Sequence, residues 1–382
     1  MNHRLLAVLC ITQALAILLT ESIAPFWPIL LDQFGGGEVA LLLVFWLPLV
    51  FGMLSAPLWG LIADRFGHRA MIIRSLIALA SIQLLLAFAS ELWHILALRA
   101  GQGFFAGSIA AISGYWLLHN NAAKQGLSWL QSATALGALI GPTAAGIWLA
   151  KFSPQSLFMA NALIGFSLLI LAFGLPKQPA QVKSKPTDSA APAKTSMTQL
   201  IALLLASVLL LTAAKKISAP ILADFVLQAG LAQVHIGWLY ALPAFATFLS
   251  APWINKLQIG DDYLWLGCVA IVASLIMLLH SQAQQLWSIS LLRFALGCCF
   301  AALLPQLKLL TRQQYQLVGQ SMGRFTMAVK LGAMLGSGLS ISALALVSAA
   351  AGFVSASAIL LLCGICCLLA RVCSISQSKQ SC

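Results

Sequence analysis

Residues 47–57 read LPLVFGMLSAP, and residues 242–252 read LPAFATFLSAP. The two stretches lie 195 residues apart and share the opening Leu-Pro and the closing Leu-Ser-Ala-Pro. The same offset carries residues 136–138 (LGA) onto residues 331–333 (LGA), and Pro25 onto Pro220. Because one offset holds at separate places, the chain consists of two similar halves.

The composition indicates an integral membrane protein, because 61% hydrophobic and 8% charged residues leave too little polar surface to cover a soluble globule. Mean hydropathy is +0.95. Apolar runs of about 18 to 26 residues can each cross ~30 Å of hydrocarbon as a helix. Alternation at strand length is absent, so we predict an all-α membrane protein of twelve transmembrane helices in two pseudo-symmetric six-helix bundles. The runs begin near Leu5, Leu41, Met71, Trp93, Leu127, Leu157, Gln199, Ile236, Leu264, Leu286, Val318 and Gly352.

The first apolar run extends to Leu31, which predicts a retained span rather than a cleaved secretory signal. We predict an N-terminal bundle at 1–175, a cytoplasmic linker at 176–198 and a C-terminal bundle at 199–382. The linker is rich in proline and lysine. Lysines and arginines concentrate in loops on the side of the membrane where the linker is placed, and Lys151 is placed on the opposite side. This bias predicts an inner (plasma) membrane protein with both termini in the cytoplasm.

Residues 60–69 read GLIADRFGHR and follow the second predicted span. Glycines permit a tight turn there, and an aspartate can accept from a neighbouring helix N-terminus or an arginine. The stretch resembles the loop signature of the major facilitator superfamily, whose fold of two six-helix halves agrees with the repeat. The resemblance implies a gating latch formed by Gly60, Asp64, Arg65, Gly67 and Arg69. A turn that only orients two helices is the alternative, and residues 255–262 of the second half lack the pattern.

Residues 98–103 (LRAGQG) resemble an intramembrane signature of drug:proton antiporters in this superfamily. Arg99 and Gly103 share a helix face, so a buried guanidinium and a close helix contact occur together. Arg293 and Gly297 hold the equivalent positions at an offset of 194. The repeat therefore supports the resemblance in both halves.

Residues 137–146 (GALIGPTAAG) resemble the Gly-Pro signature of exporters in the superfamily. Proline removes one helix hydrogen bond, which favours a kinked and closely packed helix. Ala145 departs from the signature, which more often has glycine there. The resemblance implies an exporter-type helix motif formed by Gly137, Gly141, Pro142 and Gly146.

Seven cations lie within or at the ends of predicted spans, and Glu21 is the carboxylate that opposes them. In the register of the repeat, Glu21 coincides with Lys216. Each cation at the bilayer centre costs roughly 2.5 to 3.5 kcal/mol. The deep cations should therefore line a water-filled cavity, and the substrate should supply the missing negative charge. The seven are Arg99, Lys215, Lys216, Arg293, Lys308, Arg324 and Lys330.

We predict that Glu21 is the proton-titrating residue and forms an ion pair with Lys216. Two of the cations, Lys308 and Arg324, lie toward cytoplasmic helix ends and can extend to the interface. Structural pins on backbone carbonyls are the alternative for the two arginines of the repeat. The predicted substrate cavity contains Lys216, Arg99, Lys330, Arg293 and Lys215.

These residues predict a proton-coupled secondary transporter that exports a small anionic metabolite by alternating access. The resemblance implies carboxylate siderophores as one substrate type. We expect a monomer in the lipid bilayer, driven by the proton gradient, with no cofactor, no metal and no nucleic-acid partner. Histidines at span ends lack catalytic or metal-ligand spacing and are expected at the membrane interface, which predicts no enzyme. These are His94, His119, His235 and His280.

Three alternatives remain open at this point. A multidrug antiporter of lipophilic compounds would ordinarily contain more than one buried acid. An anion importer is disfavoured only by the Gly-Pro motif. A receptor or scaffold without transport would need larger soluble segments than the linker.

Overall fold

The computed structural model describes residues 3–119, 123–176, 194–218, 221–231, 234–254, 256, 260–346 and 348–380. Every regular element in these ranges is helical, which confirms the all-α prediction. Ten helical segments in the described part are long and apolar enough to cross a membrane. A shorter apolar helix at Trp238–Ile254 and the helix Val318–Leu346 complete the twelve predicted spans.

The helices of the first half begin close to the predicted positions. They are α1 (His3–Glu21), a 3₁₀ turn (Ala24–Phe26), α2 (Trp27–Asp32), α3 (Glu38–Phe66), α4 (His68–Ala87), α5 (Leu92–Phe105), α6 (Ser108–His119), α7 (Ala123–Leu149) and α8 (Pro154–Phe173). Those of the second half are α9 (Lys194–Ile217), α10 (Ile221–Gln228), α11 (Val234–Ile254), α12 (Asp262–His280), α13 (Leu286–Gln313), α14 (Val318–Leu346) and α15 (Ala349–Gln380).

The fourth span is divided, which hydropathy did not predict. α5 ends at Phe105 and α6 begins at Ser108. Gly107 in the break has a φ of 142°, a conformation that favours glycine because it has no Cβ. The repeat places Ala301 at the equivalent position, and α13 runs through it without interruption. The two halves therefore differ in the backbone of their fourth spans.

Helix packing follows the repeat. In the first half α3 packs on α5 and α4 packs on α8. In the second half α11 packs on α13 and α12 packs on α15, which are the same two pairs 194 or 195 residues later. The repeat in the sequence is therefore a repeat in tertiary contacts.

The chain forms two compact units. One consists of Met1–Val182 and Leu317–Met327, and the other of Lys183–Gln316 and Ala328–Cys382. The sequence did not predict that the start of α14 belongs to the N-terminal unit. Most of the predicted linker, residues 177–193, lies outside the described residues, so its boundaries remain a prediction.

Candidate functional site

Asp64, near the end of α3, is 6% exposed and binds the start of α14. Its Oδ1 accepts from the backbone N–H of Gly319 at 2.6 Å, and its Oδ2 accepts from that of Gln320 at 2.8 Å. α14 begins at Val318, so both donors are first-turn amides without an acceptor in their own helix. The carboxylate therefore caps α14 at the end where the helix dipole favours negative charge.

Two glycines shape this end of α3. Gly60 approaches α14 so closely that a Cβ there would overlap the carbonyl oxygen of Gly319. Gly67 is the single residue between α3 and α4, and its φ of 86° favours glycine. The structure therefore brings Gly60 to the same contact as Asp64, and Gly67 closes the turn that follows.

The two arginines of the predicted latch have different surroundings. Arg69 donates from Nη2 to the carbonyl of Phe173 at 2.7 Å, which ties the start of α4 to the end of α8. Arg65 is exposed, with its guanidinium 5.5 Å from the ring centroid of Phe66. Arg69 thus stabilises the N-terminal bundle itself, and the gating role of the loop remains a prediction.

Arg99 is 9% exposed and is held from three sides. Its Nε donates to the carbonyl of Val44 on α3 at 3.0 Å, and its Nη1 donates to Oε1 of Gln102. Its guanidinium lies 5.2 Å from the ring centroid of Trp27. This geometry favours the structural-pin interpretation, because the donors already have acceptors within the N-terminal unit.

Arg293 repeats the pin in the C-terminal unit with fewer partners. Its Nε donates to the carbonyl of Leu239 on α11 at 2.6 Å, and the side chain is 3% exposed. Leu239 is the counterpart of Val44 in the repeat. Among the residues that the structure describes, Nη1 of Arg293 is buried without a hydrogen-bond partner. The backbone contact is therefore conserved between the halves, and the side-chain contact is not.

The glycines that follow the two arginines contact the prolines of the repeated LP motif. A Cβ on Gly103 would lie 2.5 Å from the carbonyl oxygen of Pro48. A Cβ on Gly297 would likewise overlap the carbonyl oxygen of Pro243. Close packing of α5 on α3, and of α13 on α11, thus depends on a missing side chain.

The exporter-type motif lies on α7 and faces α1. Gly137 and Gly141 both pack on the α1 backbone, and a Cβ on Gly141 would lie 2.9 Å from the carbonyl oxygen of Leu18. Pro142 lies inside α7, which continues from Ala123 to Leu149. A Cβ on Gly146 would make only an ordinary contact at 3.4 Å. The motif therefore fixes α1 against α7.

The charged residues at the helix breaks are exposed. Glu21 is the last residue of α1, and Lys215 and Lys216 are in the last turn of α9. Nζ of Lys215 lies 5.7 Å from the ring centroid of Phe300 on α13. Lys330 is half-buried in α14. Glu21 and Lys216 belong to different units, so their ion pair and the shared cavity remain predictions.

His280 differs from the sequence prediction of an interface histidine. It ends α12 but is 1% exposed, with ring centroids 5.3 Å from Phe225 and 4.2 Å from Phe353. Within the described part of the chain, neither ring nitrogen of His280 has a hydrogen-bond partner. At the offset of 194 that relates the two arginines, His280 aligns with Leu86, which is buried.

Arg74 packs beside the break in the fourth span. Its guanidinium lies 3.6 Å from the ring centroid of Trp59, and its Nη2 lies 3.4 Å from the carbonyl of Ala106. Nε1 of Trp59 donates to the carbonyl of Phe104 at 2.7 Å. Two side chains therefore satisfy carbonyls that the break leaves without helix partners.

In the described part of the chain, no three side chains of metal-binding type cluster together. Cys363 and Cys367 lie one turn apart on α15 and contact Ser207 of α9. The Sγ atom of Cys363 is 3.3 Å from the Ser207 carbonyl, and that of Cys367 is 3.5 Å from its hydroxyl. These thiols pack one helix against another.

A comparison with known protein families agrees with the features described above. These are the repeated helix pairs, the capping aspartate and the paired arginines. The family model of the Major Facilitator Superfamily matches residues 9–214, more than half of the chain. This chain belongs to the major facilitator superfamily. As a member, it is a multi-pass membrane transporter and not an enzyme.

Relatives with similar sequences are described as multidrug resistance proteins. MdtG of Salmonella arizonae is 30% identical over 319 residues, which cover 79% of this chain and 78% of the relative. MdtG of Salmonella paratyphi A is 30% identical over 321 residues with the same coverage. The similarity thus extends through most of both halves.

Solved structures of the superfamily share the fold at low sequence identity. The human organic anion transporter MFSD10 (TETRAN) matches with a TM-score of 0.79 at 17% identity, over 95% of this chain and 99% of its own. FucP in the outward conformation matches with a TM-score of 0.71 at 16% identity, over 96% and 98%. The twelve-helix superfamily fold therefore extends over nearly the whole chain.

Proposed function

We propose that this transporter is a proton-coupled exporter of small organic anions, including carboxylate siderophores. The observation that carries the proposal is a charge reversal at one position of the repeat. Glu21 ends α1, and its counterpart Lys216 lies in the last turn of α9, both with exposed side chains. Since a charge facing lipid costs roughly 2.5 to 3.5 kcal/mol, exposed charges within spans favour a water-filled path.

Glu21 is the proposed proton-binding residue. It is an exposed carboxylate at the end of α1, in the same unit as the buried guanidinium of Arg99, and the two opposite charges attract. A proton on Glu21 would remove this attraction.

Lys216 is the proposed anion-binding residue. Adjacent helix residues diverge by ~100°, so Lys216 presents a different face of α9 from Lys215, which lies toward Phe300. A lysine ammonium is a mobile point charge that suits carboxylate groups of varied shape. An exposed basic helix end therefore fits a range of organic anions.

The direction of transport rests on the α7 motif and on the relatives. Gly137 and Gly141 give α7 the close contact with α1 that resembles the exporter signature. The MdtG relatives are multidrug resistance proteins by name, which also supports export.

Efflux of lipophilic compounds without a negative charge is the second candidate. The 30% identity to MdtG favours it. Its substrates would be bound by apolar surface, and the lysines at the end of α9 would then be dispensable for binding.

Transport into inverted membrane vesicles with an acidic lumen separates the two candidates. We expect radiolabelled citrate to accumulate, and accumulation to stop when an ionophore collapses the pH gradient. Accumulation of tetraphenylphosphonium without any anion would overturn the anion proposal and favour lipophilic efflux. Citrate accumulation that does not depend on the pH gradient would overturn proton coupling.

Two variants test the assigned residues. Glu21→Gln should abolish gradient-driven uptake and leave citrate binding intact, whereas Glu91→Gln, at an exposed acid outside the spans, should behave as wild type. Lys216→Ala should weaken citrate affinity about tenfold, a loss of ~1.4 kcal/mol. Lys151→Ala is the matched control, since Lys151 is exposed in a loop. Gradient-driven citrate uptake by Glu21→Gln would contradict the role of Glu21. An unchanged citrate affinity in Lys216→Ala would contradict the role of Lys216.

A further inference from the structure

A groove of about 480 Å³ lies between the end of α12 and the start of α13, within the C-terminal unit. Its polar lining comes from the connection between the two helices and from the first turn of α13. These polar residues are Gln282, Gln284, Gln285 and Ser288. Its apolar lining comes from positions within the helices, at Leu279, Leu291 and Leu292. The groove therefore combines amide groups at the helix ends with leucines along the helices.

The length of α12 places the groove at the boundary of the hydrocarbon. The helix is one of the candidate membrane spans, and its 19 residues extend about 28 Å, close to the ~30 Å thickness of the hydrocarbon. The connection that follows His280 therefore lies at the level of the lipid headgroups. Trp287 also lines the groove, and tryptophan is enriched at this level. Headgroups can thus reach the amides while acyl chains reach the leucines.

An exposed apolar stripe leads from the groove along α12. Its residues recur at intervals of three or four, so they share one face of the helix. They are Leu279, Leu275, Val272, Cys268 and Leu264, and all are exposed. Half of the hydrocarbon thickness corresponds to about ten helical residues, so one acyl chain would cover Leu279, Leu275 and Val272.

The polar lining favours a headgroup without net charge. The described residues that line the groove carry no formal charge. A glutamine amide donates through its N–H groups and accepts through its carbonyl oxygen. A phosphate group can accept from the amide, and a primary ammonium can donate to it, whereas a choline ammonium has no N–H. An anionic lipid would lack the lysine or arginine that usually recognises its charge.

The repeat shows that a negative charge is absent at one position of this lining. At the offset of 194, Glu91 corresponds to Gln285, and Trp93 corresponds to Trp287. Nε1 of Trp93 donates to Oε2 of Glu91, and Nε1 of Trp287 donates to Oε1 of Gln285. The same contact is therefore made by an amide in the second half, without the carboxylate charge that would repel a phosphate.

We propose that this groove binds one phospholipid with a zwitterionic headgroup that contains a primary ammonium, as in phosphatidylethanolamine. The amides of Gln282 and Gln284 donate to the phosphate oxygens and accept from the ammonium. One acyl chain lies on the exposed stripe of α12. The site is independent of Lys216 and of the exported substrate.

Native mass spectrometry of the purified full-length protein tests the proposal. The protein in detergent is titrated separately with phosphatidylethanolamine, phosphatidylcholine and phosphatidylglycerol of identical acyl chains, and the affinity of the first bound lipid is measured. We expect phosphatidylethanolamine to bind about fivefold more tightly than the other two, a difference equivalent to one hydrogen bond. Equal affinities, or a preference for either of the other lipids, would overturn the proposal.

Variants locate the lipid in the groove. Gln284→Leu should weaken phosphatidylethanolamine binding about fivefold, and Gln282→Phe, which restores the first-half residue Phe88, should have a similar effect. Gln284→Lys adds a cation and should increase the affinity for phosphatidylglycerol. Gln313→Leu is the matched control, because Gln313 is an exposed glutamine at the other end of α13 and should bind lipid as wild type does.

The changed glutamines are exposed, so we expect all four variants to fold, which circular dichroism checks. A preference for phosphatidylethanolamine that survives in both Gln284→Leu and Gln282→Phe would overturn the site. An unchanged affinity of Gln284→Lys for phosphatidylglycerol would do the same. Since lipid binding is measured without substrate or pH gradient, either failure leaves the export proposal untouched.

Discussion

Asp64 shows how one side chain can join two sequence-distant segments. Each of its carboxylate oxygens accepts from a different first-turn amide of α14. From the sequence, either a helix N-terminus or an arginine was a possible partner. The structure selects the helix N-terminus, because Gly60 and Gly319 let the two backbones approach closely enough.

Removing the carboxylate should destabilise this contact. Asp64→Ala leaves the amides of Gly319 and Gln320 without an acceptor, and we expect a loss of about 2 kcal/mol, seen as a lower Tm. Asp64→Asn keeps one acceptor and should lose less. Arg65→Ala removes a neighbouring exposed charge and should leave Tm nearly unchanged. Equal losses in Asp64→Ala and Arg65→Ala would contradict the capping role.

Helix pairs pack closely at glycines, because glycine has no side chain. The prolines of the LP motif contact Gly103 and Gly297, so the stretch that reveals the repeat also forms its closest helix contacts. The sequence predicted close packing at these glycines from their spacing to the arginines. It could not identify the contacted residue, because the partner helix lies about 50 residues away in the chain.

A methyl group at these glycines should separate the helices. Gly103→Ala and Gly297→Ala place a Cβ against a proline carbonyl, and overpacking of this kind typically costs about 1 to 3 kcal/mol. Gly101→Ala is the matched control on the same helix, because its Cβ would lie 3.9 Å from the nearest atom. Tm measurements on the three variants check the prediction. A loss in Gly101→Ala as large as in Gly103→Ala would contradict the contact explanation, because helix propensity alone favours alanine over glycine.

The start of α12 is also capped by an aspartate, although residues 255–262 lack the loop signature. Asp261 accepts from the N–H groups of Tyr263 and Leu264 at 3.1 and 3.0 Å. It also forms an ion pair with Arg371 of α15 at 2.5 Å. The Leu264 backbone hydrogen bond and the Arg371 contact lower the pKa of Asp261 below its usual 3.8. The second half thus caps a helix of its own bundle at this end.

The lowered pKa of Asp261 sets a pH dependence. A carboxyl group with a lower pKa in the folded state stabilises the protein above its unfolded pKa, and this contribution is lost as pH falls through the folded value. Asp261→Asn should therefore lower Tm slightly at pH 7, since the pair is partly exposed. The difference from wild type should shrink as pH falls below 3.8. A difference that stays constant with pH would indicate that the charge is irrelevant.

Over the whole molecule, the repeat and the hydropathy predicted the twelve spans and the two-half organisation. Hydropathy treated residues 92–118 as one span, because it measures composition and not backbone continuity. Hydropathy likewise did not predict that Leu317–Met327 belongs to the N-terminal unit. This segment contacts Asp64, which is far away in the sequence. His280 was misplaced because a position at a helix end does not determine burial.

The orientation of the chain is a prediction of the positive-inside bias. In a cysteine-free variant, cysteines introduced at Lys151 or Gln284 should react with a membrane-impermeant maleimide added to intact cells. Cysteines at Lys124 or Lys256 should react only after permeabilisation. The opposite pattern would invert the topology and with it the inferred direction of transport.

The break between α5 and α6 creates backbone N–H groups that need hydrogen-bond acceptors inside the membrane. A helix that starts within the bilayer has first-turn amides with no carbonyl behind them, and hydrocarbon offers no acceptor. Trp59 and Arg74 satisfy carbonyls at the end of α5, but donors at the start of α6 need oxygen atoms. Water molecules that penetrate to this depth would supply them. We therefore expect water beside the fourth span of the first half, at the depth of the break. At the same depth in the second half, α13 is continuous and requires no water.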